Sequence, residues 1–365
     1  MDRRKKNTVV CILFALLLSG GFVLCLFLPK PVYSDSERRG LSPMPKLSAD
    51  SVWSGRYMSD FENYAADAFP FRDTFRSIKA LTAGGIFYRQ DNNGIYVSDG
   101  YIAAMEYPVN EDSMNRAVER FHYICEKYLT DENKVYLSVI PDKNCFLAKE
   151  SGHLSIDYAE FERKMAKKAD FAVYIPVSDL LEKEDYYKTD THWRQEKIAD
   201  VADRLAQSMN TALVQDYETH TLTEDFYGVY YGQAALPLMP DTLQYMTGEA
   251  IENCMVYDWQ NGVEISVYDM EKALGRDPYE MFLSGSLSLI TVENKNAGTD
   301  KELVLFRDSF GSSIAPLLVS GYSKITLVDI RYIHPDLLGQ FIDFSGCDVL
   351  FLYSTLVLNH SETIK

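Results

Sequence analysis

The sequence alternates short, continuously apolar segments with longer segments whose apolar residues recur every three or four positions. Short continuous runs are typical of strands buried on both faces, and the longer periodic segments are typical of helices. We predict helices over Glu111–Tyr128, Tyr158–Lys168, Trp193–Met209 and Pro335–Phe341. We predict strands over Val135–Ile140, Phe171–Ile175, Leu303–Phe306, Ile325–Val328 and Val349–Tyr353. This order predicts an α/β fold, with a parallel sheet covered by helices on both faces.

The segment from Gln215 to Thr299 interrupts this alternation. It contains short aromatic stretches with glycine and proline residues, and we expect an irregular insertion over the sheet. Such an insertion commonly shapes a substrate groove beside a strand-end site, but it can equally be packing without a ligand. We place it within one domain over residues 49–355, followed by a C-terminal tail over 356–365.

The N-terminal residues predict a membrane anchor. Basic residues at positions 3–6 precede twenty residues without a charge, from Val9 to Leu28. Twenty helical residues span roughly 30 Å, the thickness of the hydrocarbon core of a bilayer. The basic cluster favours a cytoplasmic N-terminus, so we expect a cytoplasmic tip and anchor over residues 1–30, an extended stalk over 31–48, and an extracytoplasmic remainder. A cleaved signal peptide is the alternative, but no small-x-small cleavage pattern follows the apolar run.

The charge of the chain limits its partners. The formal net charge is −17, although the first thirty residues are basic, so the rest of the chain is strongly acidic. An acidic surface is repelled by nucleic acid, and we expect no nucleic-acid partner. Such a surface suits neutral or weakly charged glycans. The 25 tyrosines provide rings that could stack on sugars, although core packing explains most of them as well.

The cysteines do not form a metal-binding pattern. Cys11 and Cys25 lie in the apolar run, and the other four are widely spaced: Cys125, Cys145, Cys254 and Cys347. Without a Cys-x-x-Cys pair or a neighbouring histidine, we expect no metal site and no cofactor. Two disulfides and four buried thiols both remain open for these four residues.

Two short segments carry the residues of a nucleophilic site. The segment Tyr187–Trp193 contains Asp190 two positions before His192, and Leu303–Gly311 contains Ser309 after a predicted strand. In an extended loop, residues i and i+2 point to the same side, so the aspartate can orient the imidazole locally. Serine, histidine and aspartate together supply a nucleophile, a general base and an orienting carboxylate. We therefore predict that Ser309, His192 and Asp190 are catalytic.

Ser309 lies where a predicted strand turns into a helix. Backbone N–H groups and the helix dipole can stabilise an oxyanion at such a position, although it equally suits a helix-capping serine. Five further residues are candidates for oxyanion or substrate contacts: Gly232, Lys143, Asn144, Arg307 and Tyr187.

These motifs resemble those of a known group of proteins. The segment Asp190-Thr-His-Trp193 resembles the Asp-x-His-Trp signature of alginate O-acetyltransferase proteins with an SGNH-hydrolase-like domain, and of the related DHHW family of Gram-positive bacteria. Further matches follow in the same order at Ala68–Asp73, Ile140–Lys143, Arg307–Phe310 and Val328–Tyr332. Thr191 replaces the first histidine of the DHHW signature, and Arg307 replaces the glycine of many Gly-Asp-Ser sequences.

The resemblance implies an SGNH-hydrolase-like domain in which Asp190, His192 and Ser309 match the family triad. It also implies acetyl transfer to an exported or cell-surface polysaccharide, often beside a multi-pass membrane O-acyltransferase. We therefore expect a membrane-anchored, extracytoplasmic O-acyltransferase or esterase of the bacterial cell envelope. Transferase and esterase differ only in whether a sugar hydroxyl or water accepts the acyl group. The alternative is a non-catalytic, membrane-anchored glycan-binding or scaffold protein on the same fold.

Overall fold

The computed structural model describes residues 3–34 and 36–365. Met1, Asp2 and Asp35, which belong to the predicted tip and stalk, lie outside the described residues. The chain divides into two units, Met1–Asn92 with Tyr231–Pro237 and Asn93–Tyr230 with Leu238–Lys365.

The first unit is mainly helical. Its helices are α1 (Arg3–Phe27), α2 (Ala49–Trp53), α3 (Arg56–Asp67) and α4 (Arg72–Gly85). A short antiparallel pair, β1 (Tyr33–Ser34) and β2 (Arg39–Gly40), follows α1. Within α1, the stretch Arg4–Cys25 is long enough and apolar enough to cross a membrane.

The second unit is built around an eight-stranded sheet. The strands of the second unit are β3 (Ile95–Ser98), β4 (Tyr101–Ala104), β5 (Lys134–Ile140), β6 (Val173–Tyr174), β7 (Glu218–Phe226), β8 (Asp241–Thr247), β9 (Met255–Asp258), β10 (Val263–Ile265), β11 (Leu289–Glu293), β12 (Glu302–Arg307), β13 (Lys324–Val328) and β14 (Asp348–Ser354). The order in the large sheet is β10-β9-β11-β13-β12-β14-β5-β6, while β3–β4 and β7–β8 form separate antiparallel pairs.

Helices of the second unit connect these strands. The α-helices are α5 (Glu111–Tyr128), α6 (Asn144–Ser151), α7 (Tyr158–Lys168), α8 (Ala199–Ser208), α9 (Val229–Ala234, which continues into the first unit), α10 (Glu249–Glu252), α11 (Met270–Ala273), α12 (Phe310–Leu318) and α13 (Thr355–Asn359). Short 3-10 helices lie at Ser178–Leu180, Lys183–Asp185, Gln195–Lys197, Pro278–Met281, Val319–Gly321, Pro335–Gln340 and Ser361–Thr363.

The sheet is mixed, and the predicted α/β class is confirmed. Strands β13, β12, β14, β5 and β6 run parallel, whereas β10, β9 and β11 pair antiparallel. The antiparallel strands come from residues 255–293, within the segment that we expected to be an irregular insertion. In β9 buried residues alternate with more exposed ones, so the continuous apolar run that identifies the parallel strands is missing there. Strand β11 is buried over residues 289–292, with Thr291 as the polar interruption of its apolar run.

Alternating side chains of the central strand fill the cores on the two faces. Leu303 and Leu305 of β12 belong to one cluster, which contains α8 and α12 residues. Val304 and Phe306 belong to the other, which contains α5 and α7 residues. A strand that is apolar on both faces has to lie between two such layers.

The predicted helix Trp193–Met209 begins six residues later than expected, at Ala199. Before it, Trp193 donates its indole N–H to Ser313 Oγ at 2.8 Å. Gln195 donates its side-chain amide to the Ser313 carbonyl at 2.7 Å. Because these two side chains are hydrogen-bonded to α12, residues 193–198 lie along α12 and do not form the first turns of α8.

Candidate active site

Ser309 follows β12, which lies between two parallel neighbours, and occupies the N-cap of α12. The preceding Asp308 is fully buried and fixes this turn. Its carboxylate accepts the N–H of Phe310 at 3.0 Å and the N–H of Ser354, at the end of β14, at 2.8 Å. Ser309 therefore sits at the carboxyl end of the parallel strands, where sites of α/β proteins form, and it is partly exposed.

His192 lies between Ser309 and Asp190. Its Nε2 is 2.7 Å from Ser309 Oγ, and its Nδ1 is 2.6 Å from Asp190 Oδ1. Because a carboxylate only accepts hydrogen bonds, Nδ1 carries the proton and Nε2 is left to accept the serine hydroxyl. The structure thus joins the three residues in one continuous hydrogen-bonded chain.

Asp190 is buried and held in its ionised form. Oδ1 also accepts the His192 N–H at 3.0 Å, and Oδ2 accepts the Val229 N–H at 2.8 Å. Burial by itself raises the pKa of Asp190, but the imidazole and these two N–H groups outweigh it and lower the pKa below its usual range. The carboxylate can therefore stabilise a positive charge on His192.

A glycine permits the close approach that Val229 requires. A Cβ on Gly228 would lie 2.2 Å from the Asp190 Cβ and 2.3 Å from its Cα. The Gly228 N–H also donates to Thr189 Oγ1 at 2.9 Å. Any side chain at position 228 would therefore displace the loop that carries Asp190.

The loop that carries Asp190 is anchored by two buried charges. Lys143 donates to the carbonyl oxygens of Tyr187 at 2.6 Å, Lys188 at 3.1 Å and Asp190 at 2.5 Å. Asp241 accepts the N–H groups of Lys188 and Thr189 at 2.7 and 2.8 Å, and the Thr189 hydroxyl at 2.6 Å. Burial lowers the pKa of Lys143 to about 7, against the opposing effect of nearby carboxylates.

The proposed oxyanion role of Lys143 and Asn144 does not agree with these contacts. All three ammonium protons of Lys143 are directed to carbonyl oxygens, so it is a positioning residue for the loop. The Asn144 N–H donates to Asp142 at 2.9 Å, and its side-chain oxygen accepts the Tyr96 hydroxyl at 2.7 Å. Both residues are buried and already paired.

Arg307, Tyr187 and Gly232 also have structural partners. The fully buried Arg307 guanidinium lies 3.8 Å from the Asp329 carboxylate and donates to the Leu287 carbonyl at 3.3 Å. The buried Tyr187 ring packs edge-on against Phe226, and its N–H donates to the His192 carbonyl at 3.1 Å. Gly232 belongs to the first unit, where its carbonyl accepts Arg76 at 2.7 Å.

The backbone N–H of Ser309 is the group best placed to bind an oxyanion. It donates no hydrogen bond within residues 3–34 and 36–365, whereas the next two N–H groups are bound to Asp308. An unpaired N–H beside the nucleophile at a helix start can stabilise the charge that develops on a carbonyl oxygen under attack.

Some of the residues that position Asp190 and His192 come from the segment 215–299, and the sequence alone did not identify them. Gly228, Asp241 and Tyr279 all lie there, and the Tyr279 ring stacks on His192. A glycine between Tyr227 and Val229 was a signal of close backbone approach, but one sequence does not reveal its partner.

Solved structures provide the comparison. A DHHW family protein from Eubacterium siraeum matches with a TM-score of 0.62 and 20% identity, over 75% of this chain and 95% of that one. Bacillus cereus PatB1 with a sulfonyl adduct matches with a TM-score of 0.58 and 18% identity, over 73% and 97%. The O-acetyltransferase domain of Pseudomonas putida AlgJ gives 0.45 and 13%, over 73% and 92%.

No protein-family model matches the sequence, and no curated protein matches it. The similarity is therefore found in the fold, over nearly the full length of the first two structures. The chain has the fold of the DHHW family protein and of PatB1, which confirms in structure the resemblance that its motifs indicate.

Proposed function

We propose that the protein is a membrane-anchored, extracytoplasmic serine O-acyltransferase that transfers acetyl groups to a polysaccharide of the cell surface. The observation that carries this proposal is the hydrogen-bonded chain from Ser309 Oγ through His192 to Asp190. Glycan binding alone does not require these three groups to be connected, whereas nucleophilic catalysis does.

In the first half-reaction, Ser309 Oγ attacks the carbonyl carbon of an acyl donor while His192 Nε2 takes the hydroxyl proton. The negative charge moves to the carbonyl oxygen, and the backbone N–H of Ser309 donates a hydrogen bond that stabilises it. Asp190 stabilises the imidazolium. When the tetrahedral intermediate collapses, the bond to the donor's leaving group breaks, and His192 returns the proton to that group.

In the second half-reaction, His192 removes the proton of a sugar hydroxyl, whose oxygen attacks the acyl-serine. Collapse releases the acylated sugar and restores the Ser309 hydroxyl with the proton held on His192. Water in place of the sugar gives an esterase. The acceptor therefore decides between the two activities.

The location and the partners of the protein are part of this proposal. The helical stretch Arg4–Cys25, which has its basic residues at the N-terminal end, supports a single anchor with the catalytic domain outside. The acidic chain favours a neutral or weakly charged glycan. A multi-pass membrane O-acyltransferase would supply the acyl donor. Protease added to intact protoplasts should digest residues 30–365; complete protection would contradict this topology.

The nucleophile can be tested with a sulfonyl fluoride, because PatB1, which has the same fold, has been solved with a sulfonyl adduct. We expect the reagent to modify Ser309 of the full-length protein in detergent, as mapped by peptide mass spectrometry. An aryl acetate should compete with it. Adding a neutral oligosaccharide to the acetylated protein should then release the acetyl group faster than water alone.

Ser312→Ala is the control, because Ser312 lies three residues after Ser309 in α12, is buried, and its hydroxyl has no hydrogen-bond partner among the described residues. This variant should be labelled like the wild type, while Ser309→Ala should not be labelled. Absence of labelling at Ser309, with no cleavage of activated esters, would favour the glycan-binding alternative. Acetyl release that ignores every acceptor would identify an esterase.

A further inference from the structure

Helix α4 exposes an apolar stripe that catalysis does not use. Phe71, Phe75, Ile78 and Ile86 recur at helical spacing along one side of α4 and its two ends. They are 63%, 51%, 49% and 65% exposed. The opposite side buries only the small side chains Ala80 and Ala83. We call these four large residues the α4 stripe.

The stripe continues into neighbouring aromatic residues. Phe69 is 44% exposed, and Phe87 and Tyr88, just after α4, are 73% and 84% exposed. A contiguous set of large apolar residues is rarely left in water, and it usually marks an interaction surface.

The position of α4 within the first unit indicates the partner. A cavity of about 480 Å³ is lined by Leu24 and Leu28, at and just after the end of α1, and by Phe71 and Thr74, just before and within the start of α4. Lys30, directly after the apolar run, lies over the Tyr64 ring of α3 at 4.8 Å. The end of α1 and the start of α4 thus lie together at the level where α1 would leave the bilayer.

We propose that the α4 stripe lies in the interface of the outer leaflet and holds the first unit flat on the lipid surface. An amphipathic helix of this kind buries its apolar face roughly 5–10 Å into the boundary between headgroups and acyl chains. Phenylalanine is common on the buried face of such helices, and tyrosine, as at Tyr88, is favoured at the boundary with water. The partner is a lipid surface of low charge, because residues 31–92 carry eight basic and eight acidic residues and so offer anionic headgroups no net attraction.

The proposal rests on the membrane anchoring that we propose for α1, but not on catalysis. Its test uses the full-length protein in vesicles of phosphatidylcholine brominated near the glycerol end of one acyl chain. The probes are Phe75→Trp, on the stripe, and Gly84→Trp, on the opposite side of α4. Gly84 is exposed, and a Cβ there meets nothing within 4 Å. The emission of the wild-type protein, which has its own tryptophans, is subtracted from that of each variant.

We expect the emission added by Phe75→Trp to be blue-shifted and mostly quenched by the brominated lipid, equally at low and high protein-to-lipid ratio. The emission added by Gly84→Trp should remain unquenched. Quenching of neither residue, while the protein still floats with the vesicles, would overturn the proposal, and so would equal quenching of both.

Shielding of Phe75→Trp from acrylamide without lipid quenching would mean that a second copy covers the stripe, which also contradicts the proposal. A protein that does not float with the vesicles would remove the anchor and the inference together. Labelling of Ser309 in the same sample reports on the catalytic proposal separately.

Discussion

The ring of Tyr279 lies flat against the imidazole of His192, with centroids 3.9 Å apart and ring planes inclined by 7°. Tyr279 is buried, and its hydroxyl donates to Ser313 Oγ at 2.9 Å. Ser313 also accepts the indole N–H of Trp193, the residue after His192. The histidine is therefore supported along its face as well as through its two nitrogens.

Replacing Tyr279 separates the stacking from the hydrogen bond. Tyr279→Phe keeps the flat ring and should keep most of the turnover of an aryl acetate. Tyr279→Leu removes the ring face and should lower kcat by about 10- to 100-fold, because a misoriented base transfers protons poorly. KM should change little. Wild-type kcat in a folded Tyr279→Leu protein, checked by circular dichroism, would contradict this role.

The triad should behave as one unit. Ser309→Ala and His192→Ala should each lower turnover of an activated ester by about 10⁴-fold or more, and the double variant should be scarcely worse. Asp190→Asn should also be severely impaired, because an amide favours the wrong imidazole tautomer. Steady-state kinetics on folded proteins provides the measurement. Near-normal turnover by Ser309→Ala would refute the assignment of the nucleophile.

Position 228 should tolerate only glycine. Gly228→Ala places a methyl group where Asp190 lies, so the loop must move and kcat should fall by about 100-fold or more. The control is Gly298→Ala, where a Cβ meets no atom within 4 Å and kinetics should be unchanged. Equal kinetics of the two variants would show that the loop adapts without loss of function.

Asp142 should make stability depend on pH. Burial raises its pKa to about 6, although the Tyr158 hydroxyl, 2.7 Å away, acts in the opposite direction. The folded state then binds a proton that the unfolded state releases between about pH 4 and 6. The contribution of Asp142 to the free energy of unfolding is present below pH 4 and falls by about 3 kcal/mol as the pH rises through 6.

Urea unfolding at several pH values between 4 and 6 provides the measurement. Asp142→Asn has no titrating carboxyl group, so its unfolding free energy should fall less steeply over this range than that of the wild type. Asp131→Asn, at an exposed carboxylate, is the control and should retain the wild-type slope. Parallel curves for all three proteins would exclude Asp142 as the source.

The parallel strands and the hydrogen-bonded grouping of Ser309, His192 and Asp190 could be predicted because their signals are local. A continuous apolar run such as Leu303–Phe306 is readable without its neighbours, and the spacing of Asp190 and His192 is set within one tripeptide. The supports of the site are not local. Asp241 lies 52 residues after the Thr189 amide that it binds, and Tyr279 acquires its role only through folding. Lys143 is a candidate for oxyanion or substrate contact in the sequence, whereas its ammonium group binds three carbonyl oxygens, which one sequence does not show.

The contacts that hold Asp190 and Ser309 end largely on main-chain atoms. Asp190 and Asp308 each accept backbone N–H groups, and Lys143 is bound by three carbonyls. Every amino acid except proline offers the same N–H, and every one offers the same carbonyl. Residues such as Val229 and Ser354 can therefore be exchanged during evolution while the geometry of the triad persists. The scaffold can drift widely in sequence, provided that a few buried charges and one glycine stay in place.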